Sequence, residues 1–270
     1  MLLLLVFLAF IAGMALDPRT VLGAPAWLKP AKFAISTAIY CLSLAWVFTH
    51  LPDWPRTRRI VGRMTVLVMW TEVAIVSLQA WRGTTSHFNV GTTLDATLFA
   101  IMGVAIFSQT ASTFAVAAAL WRQRFEDRAM GWALRAGMTL TILGALVGGL
   151  MTAKPTAAQI EDARVTGRLT TVGAHTVGGP DGGPGLPGLG WSTVKGDLRV
   201  PHFFGLHAIQ ALPLFAFLIG RGPRRGGASV VVAAAVAYAL LFAFLLEQAL
   251  RGVPLIAFPS AVPAAEGGLR

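Results

Sequence analysis

Glu72 is the only acid in the long apolar run from Ile60 to Trp81, and Gln79 follows it seven residues on, on the same helical face. His202 and His207 stand five apart at the start of another apolar run, with Gln210 three residues beyond His207. A third cluster, Ser86-His87-Phe88-Asn89, holds the only asparagine in the chain, and Asp95 comes soon after it. Imidazoles ligate metals or exchange protons near neutrality, and a buried carboxyl serves as a proton carrier or general acid. These residues therefore point to an acid–base or metal site. Its catalytic candidates are Glu72, His87, Asp95 and His207. His202 and His207 are the candidate ligands of a haem or transition metal, with His87 joining them on a metal. Arg82, Asn89, Arg199 and Gln210 are the candidate substrate binders.

Spacing limits the metal reading. Five residues turn about 140° around a helix axis, whereas two ligands on one helical face want a spacing of four. A metal shared by His202 and His207 thus needs ligands from elsewhere in the chain. Adjacent Ser86 and His87 are badly placed to act on each other as nucleophile and base. Asp197 and Arg199 read more simply as a loop ion pair than as an anion clamp.

The elements that must position these residues are membrane helices. Charged residues make up 13% of the chain, against about a quarter in a soluble domain, and the mean hydropathy is +0.67. Apolar residues fall in blocks of about 20, the length of a spanning helix and too long for the strands of a barrel. The net charge of +10 does not signal nucleic acid, because much of the arginine sits in short loops between apolar blocks. Arginine strongly outnumbers lysine, and alanine and glycine abound, a bias common in GC-rich bacterial genomes. A bacterial inner membrane is the expected location. The single cysteine, Cys41, excludes an internal disulfide and any paired-cysteine metal motif.

In chain order, Met1 to Leu16 is apolar but lacks the basic start of a signal peptide, so a retained, short first helix is expected. Further helices follow at Ala31–Leu51, Ile60–Trp81, Leu94–Trp121, Gly131–Ala153, Pro201–Gly220 and Ala228–Leu250. Gly144 and Gly148 lie four apart, a spacing that lets a neighbouring backbone approach closely. Pro213 is expected to kink its helix. The one long connection, residues 154–200, has a Gly/Pro-rich centre over 178–190 that cannot form regular structure.

The sequence thus predicts an all-α fold, one domain over residues 1–270, built as a bundle of about seven transmembrane helices. The short loops after helices two, four and six carry Arg56, Arg58, Arg59 and Arg63; then Arg122, Arg124 and Arg128; then Arg221, Arg224 and Arg225. Such loops stay in the cytoplasm, so the N terminus is inside and the long connection and C terminus are outside. The candidate site residues then gather at the outer side. If helices three and six are neighbours, Glu72 meets His207 or Gln210 within the membrane. An acid at that depth must be protonated, paired or facing water.

Three readings of function follow. The first is a membrane enzyme with an outward-opening pocket, one version of which uses haem or a transition metal. The second is a proton-coupled small-solute transporter in which Glu72 carries the proton, and the third is a non-catalytic scaffold. The expected partners are the lipid bilayer and a small-molecule or lipid-soluble ligand.

Overall fold

A computed structural model describes residues 2–220 and 227–257. Arg221, Arg224 and Arg225 lie outside the described residues. The chain is mostly helical: α1 (Leu2–Leu16), α2 (Leu28–Thr49), α3 (Pro55–Trp81), α4 (Thr93–Arg122), α5 (Arg128–Thr152), α6 (Ala157–Thr166), α7 (Arg199–Gly220) and α8 (Gly227–Leu250). Six of these helices are long and apolar enough to cross a membrane. Their outward faces carry large apolar side chains such as Leu67, Val104, Phe107 and Leu240, each more than three-fifths exposed. A surface of that kind calls for lipid, and the architecture is that of a multi-pass membrane protein.

The first apolar block forms α1, which at 15 residues reaches about 22 Å, short of a hydrocarbon core of about 30 Å. It packs along α2. Phe10 stacks on Trp27 with centroids 5.6 Å apart, and the Trp27 indole donates to Asp17 across 2.7 Å. Between α1 and α2 the chain turns back through a two-residue hairpin, β1 (Thr20–Val21) with β2 (Ala24–Pro25). Leu22 and Gly23 take left-handed φ values at its tip, as a tight hairpin turn requires.

Helix starts follow local chemistry. Thr92 caps α4 by accepting from the Asp95 amide, 3.1 Å. Asp127 caps α5 through the amides of Ala129 and Met130. Thr156 and Gln159 make a reciprocal capping box at α6. Each satisfies donors that the first helical turn leaves open.

Consecutive helices pack in order from α1 to α5, and α7 and α8 then pack on α5 and on each other. The most extensive contact is between α5 and α7. It is made backbone to backbone, since a Cβ on Gly144 would lie 2.6 Å from Gly205 Cα. Two turns further along, Gly137 faces the Ala208 carbonyl in the same way. Pro213 lies buried inside α7.

The long connection is more ordered than its composition predicts. It contains α6 and a short pairing of β3 (Thr176–Val177) with β4 (Gly196–Asp197). Trp191 and Asp197 within it are buried. Gly196 lies directly on the end of α8, with no room for a Cβ against the Ala249 carbonyl. The Gly/Pro-rich centre has no helix or strand of its own. It is held by backbone hydrogen bonds from Leu186 to Trp191 and from Gly190 to Leu186, and by side chains: the Asp197 carboxylate accepts from the Ser192 amide, 2.8 Å, and Arg199 gives hydrogens to Asp197 and to the Gly190 carbonyl.

Candidate functional site

The candidate residues gather at the end of the bundle where α3 finishes, α4 begins and the long connection folds over. They form separate groups there. In the first, the Gln79 amide donates to Asp95 Oδ1 across 2.8 Å, Arg82 reaches the same oxygen at 2.6 Å, and Thr92 donates to Oδ2 at 2.6 Å. Asp95 is thereby saturated, and its ion pair joins the end of α3 to the start of α4. Asn89 is spent within its own loop, donating to Thr84 and Thr85 and accepting from the Gly91 amide. Arg199 grips Asp197 with two nitrogens, which is the loop ion pair of the simpler reading.

The second group is a line of rings. His87 packs against Phe33 of α2, centroids 5.4 Å apart, and against Phe99 of α4. Phe88, in a left-handed backbone conformation at φ 62°, lies between His87 and His175, with its ring 4.8 Å from the His175 ring. Few non-glycine residues adopt that conformation, and it turns the Phe88 ring inward. Burial, helped by the nearby charges of Lys29 and His175, holds the His87 imidazole well below its ordinary range. His87 is therefore neutral at pH 7. His175 donates Nδ1–H to Asp181 across 2.8 Å. Burial pushes the Asp181 carboxyl up, but the His175 hydrogen bond, the His175 charge and backbone amides outweigh it and hold it well below the carboxylate range. Above this pair lies a cavity of about 230 Å³ lined by Gln159, Asp162, Thr171 and Asp181 among others.

The third group is Glu72. It is 2% exposed, and neither carboxyl oxygen has a hydrogen-bond partner among the described residues. The charge whose field reaches it is Lys29, in the first turn of α2. This differs from the expected meeting with His207 or Gln210. The glycine contact draws α7 onto α5, so Gln210 gives its amide to Ser43 of α2, 2.9 Å, and His207 lies on the Phe203 ring, centroids 4.3 Å apart. His202 faces α5, with Nδ1 2.7 Å from the Gly144 carbonyl.

The imidazoles therefore have separate anchors. Among the described residues, no three His, Cys, Asp or Glu side chains converge as a metal site would require. Lys29 and His175 belong to the site and are not among the residues expected from sequence. Lys29 falls just before the second apolar block, where a basic residue is ordinary, and His175 falls in a connection whose composition argues against order. No family model, curated protein or solved structure matches this chain.

Proposed function

We propose that this chain is a seven-span bacterial inner-membrane protein, N terminus inside, whose Glu72 exchanges a proton with the outer medium in step with movement of a small solute. In this topology the long connection and its cavity face outward, and the arginine-bearing short loops face the cytoplasm. Seven spans count the short α1, which packs along α2, with the six long helices.

One observation carries the reading: Glu72 is buried with both oxygens unpartnered among the described residues, about 14 Å along α3 from Trp81. A carboxylate left so at membrane depth costs several kcal/mol, and relief comes from taking a proton or meeting water. The charge of Lys29 acts on both Glu72 and neutral His87, and His87 in turn feels His175, which pairs with Asp181 at the cavity. These groups supply the donors and acceptors an entering proton needs.

Infrared difference spectroscopy on the full chain in oriented proteoliposomes tests this. A carboxyl band that responds to a pH step in the medium facing the long connection is expected, and Glu72→Gln removes it. If Glu72→Gln removes no pH-responsive band, the reading falls.

The His175–Asp181 pair under an open cavity favours one second reading, an acid–base enzyme acting at the outer face. There Asp181→Asn abolishes turnover while Glu72→Gln spares it. The haem or metal version predicts a Soret band or stoichiometric metal in the purified protein, lost in His207→Ala.

A further inference from the structure

The polar residues of α3 continue past Glu72. Arg58, Thr65, Glu72 and Gln79 recur every seven residues and run as one stripe along the helix. Thr65, Glu72 and Gln79 are all buried. On α4 the heptad Asp95, Met102 and Gln109 is buried too. The Gln79–Asp95 hydrogen bond fixes the register of these antiparallel helices. Seven residues on, Glu72 is level with Met102; seven further, Thr65 is level with Gln109. Gln109 also donates to the Tyr40 hydroxyl of α2 across 3.0 Å, with Thr113 Oγ1 3.5 Å from that hydroxyl.

The interior between α2, α3 and α4 is thus layered, with about 10 Å between levels. Glu72 sits at an apolar level between the Gln79–Asp95 layer and a second polar layer of Thr65, Tyr40, Gln109 and Thr113. In that second layer Thr65 Oγ1 and Gln109 Oε1 are buried without hydrogen-bond partners among the described residues, and so is Arg58 Nε beyond it. Helix-to-helix anchoring explains the Gln109 amide but leaves its carbonyl oxygen and the Thr65 hydroxyl unused. Two orphaned oxygens at one level, from two helices, are the usual lining of an internal water.

We propose that water held by Thr65, Tyr40 and Gln109 links Glu72 to the Arg58 end of the bundle. A proton taken up from the side of the long connection then leaves at the opposite side. This rests on the reading of Glu72 as a proton-exchanging acid and adds its second exit. Uptake forms an O–H bond on Glu72 and breaks one on the donating water; release reverses this onto water of the Thr65 layer. The Thr65 and Tyr40 hydroxyls each donate and accept, so they relay a proton without holding net charge, while Gln109 orients the chain. Among the described residues, the charged or titratable groups along this path are Lys29 from α2, whose charge acts on Glu72 and on His87 of the α3–α4 loop, Arg82 and Asp95 one level up, Tyr40 one level down and Arg58 two levels down.

The test uses the same oriented proteoliposomes, with the pH step applied alternately to the two sides and the Glu72 band followed in time. Thr65→Val, alone and with Gln109→Leu, is expected to slow the response to a step at the Arg58 side by about tenfold or more, leaving the response from the other side unchanged. Thr65→Ser, which keeps the hydroxyl, restores the wild-type rate and controls for damage to the fold. The proposal is overturned if Thr65→Val responds from both sides as the wild type does, or if the band never responds to the Arg58 side. In either case a normal response from the opposite side leaves the reading of Glu72 standing.

Discussion

The imidazole of His202 gives its Nδ1 hydrogen to the carbonyl of Gly144 across 2.7 Å, one helix reaching the backbone of another. The approach is open because residue 148 has no side chain; a Cβ there would lie 3.1 Å from His202 Cε1. His202 is thereby a clamp between α5 and α7. Replacing it with alanine is expected to cost about 1–3 kcal/mol, read as a lower Tm in detergent, with the Glu72 infrared band unchanged.

Gly144 and Gly205 bring two backbones together with no room between them. Gly144→Ala should destabilise by about 1–3 kcal/mol or more, since the added methyl meets main chain that cannot move aside. Gly103 on α4 supplies the control, because a methyl added there would meet nothing within 4 Å. Gly103→Ala leaves the Tm unchanged or slightly raised. Equal melting of the two variants would show that the α5–α7 contact does not limit stability.

Asp95 accepts from Gln79, Arg82 and Thr92, and its side chain is 6% exposed against 27% for Arg82. Asp95→Asn leaves Arg82 without its countercharge. Because Arg82 keeps partial access to water, the expected loss is about 1–3 kcal/mol, below the cost of breaking a fully buried pair. In a double-mutant cycle with Arg82→Gln, the double variant should lose less than the sum of the two single variants, and the shortfall is the coupling of the pair.

His87 and Asp181 give stability two distinct pH dependences. The folded-state value of His87 lies below its ordinary 6.5, so below that pH the unfolded chain binds the extra proton and stability falls. This loss should be absent in His87→Gln. Asp181 is also depressed, from an ordinary 3.8, so its contribution is full above that value and is lost as pH falls further. Protection of the His175 and Thr176 amides from exchange, relative to the unfolded chain at the same pH, should fall as pH drops below about 4 in the wild type, and should be low at all pH values in Asp181→Asn.

Much of the fold is legible in the sequence, because membrane helices announce themselves by length and apolarity. Glu72 stands out for the same reason: an acid in an apolar run has few explanations. The heptad from Arg58 to Gln79 is equally readable, but its meaning depends on which helix faces it. Helix neighbours are the unreadable part. The Gly144–Gly148 spacing announces a close contact without naming the partner, and that partner proves to be α7. With α7 drawn to α5, Gln210 and His207 turn away from Glu72, and Lys29 takes the place nearest it in charge. Nor does Gly/Pro-rich composition reveal that Asp181 and Asp197 pin the long connection through backbone amides, since each bond joins residues a few positions apart whose partnership depends on the turn between them.

The α5–α7 contact also bears on how the protein is made. Gly137 and Gly144 shape α5 for a partner that is synthesised only after the whole long connection has followed it. Until then α5 must wait in the bilayer with its small-residue face covered by lipid or by an insertion factor. Assembly of this half of the bundle is thus a late event in biogenesis, and a ribosome stalled before residue 199 would leave α5 packed on α4 alone, its Gly137–Gly144 face without α7.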